Sequence, residues 1–287
     1  YLRDRGYERI AGMVYTEMMD SLMTFNSRPN NPAAKFSVHP DKVWYAVTTD
    51  QTVAPVEDSN PVHSIKEKSV VVSSGAGGRS SQTMTAETRR FHPSQIGVIS
   101  EATVDNSETG TITYLTSNPN YGSIYGTSQE LEKPNESAGQ CFSESMLLVP
   151  GHKYDDPKRI GMSSIQNSST THADGYRLMP CRTGFENTIA QRSGDMFSAT
   201  ASGDGVVEYL SKKTIRISYK DGSKQAYRIG RRYGNWSGKV IPHNLVTDLK
   251  VGDSVKENDI LFYNTLFFTK DPWGDQTALK FAALGRV

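Results

Sequence analysis

Cysteine, long apolar runs and an excess of either charge are all scarce in this 287-residue sequence. Its two cysteines, Cys141 and Cys181, are too few and too far apart for a structural zinc site, and such low usage is typical of a reduced compartment. A disulfide between them is the alternative. No run of about 18 apolar residues and no secretory leader occurs, so we expect no membrane partner. The net charge of +1 gives no indication of nucleic-acid binding.

Apolar residues make up 36% of the sequence. This fraction is low for a self-sufficient globular protein, although it lies above that of disordered chains. The length is sufficient to bury the core of one or two domains. We therefore expect the chain to be a portion of a larger assembly.

One clear helical pattern occurs near the start of the chain, where apolar side chains recur three or four positions apart. They are Ile10, Met13, Val14, Met18, Leu22 and Phe25. This stripe predicts a helix that packs on a neighbouring element or on another subunit. The Asn- and Pro-rich residues 27–40 predict a loop, and residues 43–47 predict a short strand.

From Val70 onward the pattern is typical of β structure. Strands are predicted at residues 70–72, 96–99, 111–115, 206–210 and 214–219, and a strand with its turn at 249–255. Lys220-Asp221-Gly222-Ser223 predicts a hairpin turn leading into residues 226–229. The fold class predicted is therefore mixed α+β and β-rich.

Five short motifs carry the functional signal. In chain order they are Asn60-Pro61-Val62-His63-Ser64-Ile65, the glycine run Ser73-Ser74-Gly75-Ala76-Gly77-Gly78-Arg79, Phe91-His92-Pro93-Ser94-Gln95-Ile96-Gly97, Asp155-Asp156-Pro157-Lys158-Arg159 and Arg182-Thr183-Gly184-Phe185-Glu186. The fourth motif places two carboxylates before two cations, which can hold a polyphosphate and its metal. The same run is also an ordinary helix start, with Asp as N-cap and Pro in the first turn.

In this order the motifs resemble the β subunit of multisubunit RNA polymerases. In that family an Asn-Pro-Leu-Ser segment, a Gly-Pro-Gly-Gly fork loop, a His-Pro-Thr-His-Tyr-Gly strand, an Asp-Asp-Ala-Asn-Arg element and a Gly-Thr-Gly-Met-Glu turn follow one another. The resemblance continues at residues 203–209, 252–261 and 278–287, and it covers most of residues 55–287 at low identity. The short segment between Gly110 and Cys141 makes the chain most similar to the split β-like subunits of giant bacteriophages.

The resemblance implies five parts along the chain. They are an N-terminal helix with its connecting segment (1–54), a fork-like region (55–140), the first part of a double-psi β-barrel with the nucleotide-contact element (141–202), an inserted flap-like β region (203–240) and a barrel or sandwich-hybrid continuation (241–287).

The resemblance also implies contacts with the incoming nucleoside triphosphate. Arg159 is the leading candidate because a guanidinium can grip phosphate oxygens bidentately, and Asp156 would orient that arginine or the nucleotide. Lys158 stands where the family usually has Asn, so a polar contact from this position to the sugar is in doubt.

Nucleic-acid contacts are expected from the fork-like region. The backbone could turn sharply close to a nucleic-acid strand at Gly75, Gly77 and Gly78, which are followed by Arg79. An ordinary flexible loop is the alternative. Arg89 and Arg90 would contact phosphates without sequence choice. The basic residues between Lys212 and Arg232 are read as a solvated face, and His92 as structural.

The Asp-rich metal triad of the family, which belongs to the β′ subunit, is absent from this sequence. The catalytic Mg²⁺ is therefore expected on a β′-like partner. The other partners implied are the remaining β-like portion, the DNA template, the RNA product and a promoter-specificity subunit of the phage. The expected location is the infected bacterial cell, either its cytoplasm or the phage nucleus, with the virion as the alternative.

Two readings from other classes compete with the polymerase. The abundance of Ser, Thr, Asn and Gly also fits a β-rich structural or assembly protein of a phage particle. A stand-alone hydrolase using His152, Asp155 and Asp156 needs a complete catalytic site, which the sequence does not supply.

Rifampicin is expected to leave the assembled enzyme uninhibited. In bacterial β subunits an Asp, a His, an Arg and a Ser around the Asn-Pro-Leu-Ser segment and the fork hydrogen-bond the drug. Counting from Asn60, their places are taken here by Glu57, Glu67, Val70 and Val72. Each polar group of the drug that is left unpaired costs about 1–3 kcal/mol. Inhibition at micromolar drug in a transcription assay would contradict this alignment.

Overall fold

The computed structural model describes residues 6–75, 78–120, 137–169 and 174–282. The chain divides into two compact units. The first comprises the described residues of 1–55 and 72–90, and the second those of 56–71, 91–120 and 131–287. The mixed α+β, β-rich fold class is confirmed, with a sheet that curls into half of a barrel. No helix of the described ranges is long and apolar enough to cross a membrane.

Two helices form most of the first unit, α1 (Gly6–Asn26) and α2 (Pro40–Thr48). They are joined through polar side chains. The Glu17 carboxylate, buried on α1, accepts hydrogen bonds from Ser21 Oγ at 3.1 Å and from the His39 backbone N–H at 3.1 Å. Arg9 forms an ion pair with Asp50 at 2.8 Å.

Most of the apolar stripe of α1 is exposed, although Met13 lines a pocket with Val43 and Ala46 of α2. The exposed fractions of Ile10, Met18 and Leu22 are 46%, 49% and 42%. Glu17 lies four positions after Met13, so the contacts of Glu17 and Arg9 bring only the Met13 edge of the stripe near α2, and the rest of the stripe remains on the surface. The helix itself is confirmed, the described residues of this chain leave most of the stripe exposed, and packing on another subunit stays a prediction.

The strand expected at residues 43–47 is also wrong, because these residues lie in α2. Pro40 occupies the first turn, where its missing N–H leaves no hydrogen bond unmade. Val43 and Val47 are partly buried four positions apart, whereas Trp44 and Tyr45 are each 70% exposed. That spacing follows the period of a helix rather than the alternation of a strand.

The second unit contains the remaining helices and the sheets. Its helices are α3 (Pro61–Lys68), α4 (Ala138–Cys141), α5 (Glu144–Leu147), α6 (Pro157–Asn167) and α7 (Glu186–Arg192). Its strands are β1 (Val70–Val72, whose last residue belongs to the first unit), β2 (Ile99–Thr103), β3 (Ile112–Leu115), β4 (Tyr176–Arg177), β5 (Ser198–Thr200), β6 (Gly205–Leu210), β7 (Thr214–Tyr219), β8 (Lys224–Arg228), β9 (Gly230–Trp236), β10 (Lys239–Val246), β11 (Ser254–Val255), β12 (Ile260–Asn264), β13 (Phe268–Lys270), β14 (Thr277–Leu279) and β15 (Phe281–Ala282).

Two four-stranded sheets dominate this unit, with strand orders β5-β12-β10-β9 and β11-β6-β7-β8. Smaller sheets have the orders β1-β3-β2, β13-β14 and β15-β4. Ile215 and Ile217 of β7 are fully buried in a core shared with Leu245 and Phe262 of the other large sheet. A second apolar cluster joins α3, α7 and β14 through Val62, Ile189 and Leu279 and neighbouring side chains.

Most predicted strands are confirmed, including β1, β3, β6 and the β7–β8 hairpin. Two differ in extent. The strand predicted at 96–99 begins only at Ile99, because His92 and Gln95 form a capping box around a 3₁₀ turn and Gly97 has a φ of 83°. Of residues 249–255, only Ser254–Val255 form a strand, since Gly252 turns the backbone at a φ of 94°.

A long-range contact ties the start of α3 to β9. The backbone N–H of Asp58 donates to the Asn235 carbonyl at 2.7 Å, and the N–H of Asn235 donates to Asp58 Oδ2 at 3.0 Å. Beside this pair, a Cβ added to Gly234 would lie 2.6 Å from Asp58 Cβ and 2.6 Å from His243 Nε2. The absence of a side chain at Gly234 therefore lets these segments meet.

His243, on β10, is buried in the same place. Its Nδ1 lies 2.7 Å from Asn264 Nδ2, and its ring contacts Phe197 edge-on. Burial lowers the pKa of His243; the nearby charge of Asp58 raises this pKa, and that of Arg232 lowers it. Burial therefore favours the neutral form of this imidazole.

We expect the stability of the chain to fall as the pH drops below about 6.5, the ordinary histidine pKa. The unfolded chain binds a proton at His243 more readily than the folded chain does, so acidification favours unfolding. His243→Gln removes this titration and should flatten the dependence of the urea midpoint on pH between about 8 and 5. If the urea midpoint changes equally with pH in the wild type and the variant, the role assigned to His243 is wrong.

Candidate functional site

The Asp155–Arg159 motif forms the beginning of α6. Asp155 Oδ1 accepts the Asp156 N–H at 2.7 Å, and Asp156 Oδ1 accepts the Lys158 N–H at 2.8 Å. Asp156 is thus the N-cap, and Pro157 follows it in the first turn. The ordinary helix start suggested by the sequence is confirmed. It leaves the functional reading open, because a capped helix N-terminus can also receive an anion.

Residues of α6 line an open groove of about 500 Å³. They are Asp156, Lys158, Arg159, Met162, Ser163 and Gln166. All three candidate nucleotide-contact residues are therefore brought together. Arg159 is exposed and forms no hydrogen bond or ion pair with any described residue. The side chains of Asp156 and Arg159 form no hydrogen bond or ion pair with each other. That Asp156 orients this arginine therefore stays a prediction for the nucleotide-bound enzyme.

The opposite face of α6 is firmly anchored. Ile160 is buried against Met146 and Val149 of the α5 region. Glu101 of β2 accepts a hydrogen bond from Ser143 Oγ at 2.6 Å and another from Ser164 Oγ at 3.4 Å. The groove residues are therefore carried on a rigid helix.

The C-terminal end of α6 meets the Asn-Pro motif. Asn60 caps α3 by accepting the Val62 N–H at 2.9 Å, and its Nδ2 donates to the Ser169 carbonyl at 3.3 Å. Lys66 donates to Ser168 Oγ at 3.2 Å and lies over the Tyr114 ring. Burial lowers the pKa of Lys66, and the charges of Glu67 and Glu101 raise it. Lys66 thus has partners within the chain.

The Gly-Phe-Glu motif forms a tight turn before α7. Gly184 has a φ of 91°, and the buried Glu186 carboxylate accepts the N–H groups of Thr183 at 3.2 Å and Gly184 at 2.8 Å. Thr183 Oγ1 donates to the Leu147 carbonyl at 2.6 Å. This turn therefore holds α7 against α5.

A cavity of about 290 Å³ lies where these motifs meet. Asn60, Gln166 and Glu186 line it, as do Cys181 and Lys280. The sequence did not predict this cavity, because its walls come from segments far apart in the chain. Both cysteines are free and exposed, so a disulfide between them is wrong.

The glycine run forms a closed loop in the first unit. Arg79 N–H donates to the Ser73 carbonyl at 3.0 Å, and Gly75 has a φ of 88°. A Cβ at Gly78 would lie 2.6 Å from the Ser73 carbonyl oxygen, so only glycine fits. Gly77 lies outside the described residues. Arg79 and Arg90 are exposed, and Arg89 is partly buried.

The residues proposed for a stand-alone hydrolase have structural partners in the described part of the chain. His92 caps a 3₁₀ turn, as expected. His152 Nδ1 lies 3.2 Å from the Val149 carbonyl, while Asp155 and Asp156 serve the start of α6. Within the described ranges, no three His, Cys, Asp or Glu side chains converge as a metal site.

Comparison with known proteins finds a match to one family model, at the N-terminal end. No curated protein matches the chain. Residues 1–81 match the family model of bacteriophage RNA polymerase, and this range contains α1, α2, α3 and the glycine run. The match supports a protein that is related to phage RNA polymerases and has a role in transcription.

Proposed function

We propose that the chain is part of the β-like subunit of a multisubunit, DNA-directed RNA polymerase of a bacteriophage. The observation that carries this proposal is the family match over residues 1–81, which includes both the Asn-Pro motif and the glycine run. The ordered motifs that follow, through Glu186, extend the same resemblance beyond the matched range. In this proposal residues 141–202 and 241–287 contribute to a double-psi barrel, and residues 203–240 form the flap.

The role proposed for the α6 groove is to hold the incoming nucleoside triphosphate. In nucleotidyl transfer the 3′ oxygen of the RNA attacks the α-phosphorus and pyrophosphate leaves, so the protein mainly positions the reactants. Arg159 is suited to grip phosphate oxygens because its guanidinium is exposed and unpaired among the described residues. Lys158 adds a second cation to the groove.

Magnesium, in this proposal, is held by the β′-like partner and stabilises the charge that develops on the phosphates. The residues of this chain position the nucleotide and the nucleic acid. The glycine loop, Arg79, Arg89 and Arg90 contact template or product strands. The remaining β-like portion and a promoter-specificity subunit complete the enzyme in the infected cell.

The exposed stripe of α1 supports an assembly. Ile10, Val14, Met18, Leu22 and Phe25 are each at least 37% exposed along one helix. Apolar side chains aligned in this way are typical of surfaces that are covered by another protein. We propose that another polymerase subunit covers them.

The chain on its own is expected to synthesise no RNA and to be poorly soluble, because the metal centre and part of the barrel lie on other subunits. The test is purification of the tagged chain from infected cells, with identification of its partners by mass spectrometry. Recovery of β′-like subunits together with template-dependent RNA synthesis would support the proposal. Homo-oligomers or shell proteins would favour the structural alternative, and synthesis by the lone chain would contradict the proposal.

A further inference from the structure

Positive charge is concentrated in one part of this nearly neutral chain. Residues 203–240 contain nine Lys and Arg against three Asp and Glu, an excess of six positive charges, whereas the whole chain has a net charge of +1. The rest of the chain is therefore net negative. Such segregation creates a local positive potential that the overall charge conceals.

The β6–β7–β8 sheet turns these cations outward. On β7, Ile215 and Ile217 are fully buried, while Arg216 between them is exposed. Register places Arg228 of β8 opposite Thr214, and Lys224 opposite Ser218. Side chains directly opposite each other lie on the same face of a sheet, so Arg228 and Lys224 share the solvent face with Arg216.

A bulge in β6 adds an aromatic ring to this face. The register shifts between Val207 and Tyr209, so that Glu208 is the extra residue. Tyr209 pairs with Arg216, and its ring centroid lies 5.7 Å from the Arg216 Cζ. Tyr209 remains 48% exposed. The Arg216 guanidinium therefore lies over an exposed ring, and we call this pair the Arg216–Tyr209 platform.

Most cations of this face form no ion pair with the described residues, although the pKa of Glu208 is lowered by the hydrogen bond from Lys224 and also by the charge of Arg216. Lys224 pairs with Glu208 at 2.6 Å. By contrast, Lys212, Lys213, Arg216 and Arg228 form no ion pair with any described residue. Lys212 and Lys213 lie in the turn that joins β6 to β7, beside the Thr214–Arg228 pair. We call Tyr209, Lys212, Lys213, Arg216 and Arg228 the basic sheet face.

We propose that the basic sheet face binds single-stranded nucleic acid. The unpaired cations would neutralise successive phosphates, and the Arg216–Tyr209 platform would stack on a base, a combination typical of sequence-tolerant single-strand binding. Thr214, Ser218 and Ala226 in the middle of the face have small side chains, which leave room for a nucleic-acid strand to lie across it. An acidic peptide would satisfy the cations and offer no planar base for Tyr209. The proposal does not rest on the nucleotide role of Arg159.

The test measures binding of fluorescein-labelled RNA of about 20 nucleotides to the full chain, fused to a solubility partner that is also assayed alone. Fluorescence anisotropy is recorded between about 50 and 200 mM salt. Arg216→Glu combined with Arg228→Glu should weaken binding at least roughly tenfold. It should also reduce the slope of log affinity against log salt concentration by about 2 in magnitude. Tyr209→Ala should weaken it roughly fivefold or more. The charge-matched control is Lys35→Glu with Lys250→Glu, two exposed lysines outside the face, which should bind nearly as the wild type does.

Several outcomes would overturn the proposal. The first is wild-type affinity in the Arg216→Glu, Arg228→Glu variant, with circular dichroism confirming that it folds. The second is that single-stranded and duplex RNA of the same sequence bind equally well and Tyr209→Ala has no effect. The face would then have no preference for single strands. The third is equal competition by polyglutamate, which would indicate an acidic protein partner. Because the readout is binding, its failure is distinguishable from failure of the polymerase assignment.

Discussion

Replacing Arg159 with alanine is expected to raise the nucleotide concentration that the assembled enzyme requires by roughly ten- to hundredfold. A charge-assisted contact to phosphate contributes about 1.5–3 kcal/mol, and one tenfold step corresponds to about 1.4 kcal/mol. No partner within the described residues would be left unpaired by the substitution, because Arg159 has none. The fold should therefore be unaffected, and the loss should fall on nucleotide use alone.

Steady-state transcription at varied nucleotide concentration measures this effect, together with the affinity for template. Arg159→Lys keeps the charge and removes the bidentate fork, so it should recover only part of the loss. Arg177→Ala removes another exposed arginine of the same unit, outside the groove, and serves as the matched control. Unchanged nucleotide dependence in Arg159→Ala, or a loss of template affinity of the same size, would refute the assignment.

Gly234→Ala is expected to destabilise the second unit by about 3 kcal/mol. The added methyl would lie 2.6 Å from both Asp58 Cβ and His243 Nε2, closer than nonbonded atoms tolerate. Relief requires Asp58 to move, which stretches its two hydrogen bonds with Asn235. A loss of this size lowers the ratio of folded to unfolded chain roughly 150-fold, which is large for a single methyl group.

Thermal unfolding followed by circular dichroism should show the transition of this unit roughly 6–12 °C lower. Gly203→Ala is the matched control, since a Cβ there meets no atom within 4 Å. It should change stability by less than about 0.5 kcal/mol. A wild-type transition for Gly234→Ala would mean that Asp58 and β9 do not meet as described.

Local sequence patterns were sufficient where an element is stabilised by its own neighbours in the chain. The β7–β8 hairpin was predicted because alternation and the turn residues Asp221-Gly222 act within about 15 positions. The start of α6 was predicted for the same reason. Residues 43–47 were misassigned because two valines resemble a strand fragment, and the Pro40 helix start was decisive.

Long-range contacts were beyond the reach of these patterns. The apolar stripe of α1 predicted a covered face, but Glu17 and Arg9 determine which side meets α2. At the candidate site the sequence identified Arg159 and its groove neighbours. It did not identify the Asn60–Ser169 contact or the cavity beside it, because a sequence motif does not encode which remote segment it meets.

The hydrogen bonds between Asp58 and Asn235 join residues 177 positions apart, and this separation has a consequence during synthesis. At about 5–20 residues per second, a ribosome needs roughly 10–35 s to proceed from one to the other. For most of that interval the newly made Val62 and Ile65 lack Ile189, and their cluster partners Phe268 and Leu279 are made only after Asn235. We therefore expect the apolar core shared by α3, α7 and β14 to be completed only after β14 has been made.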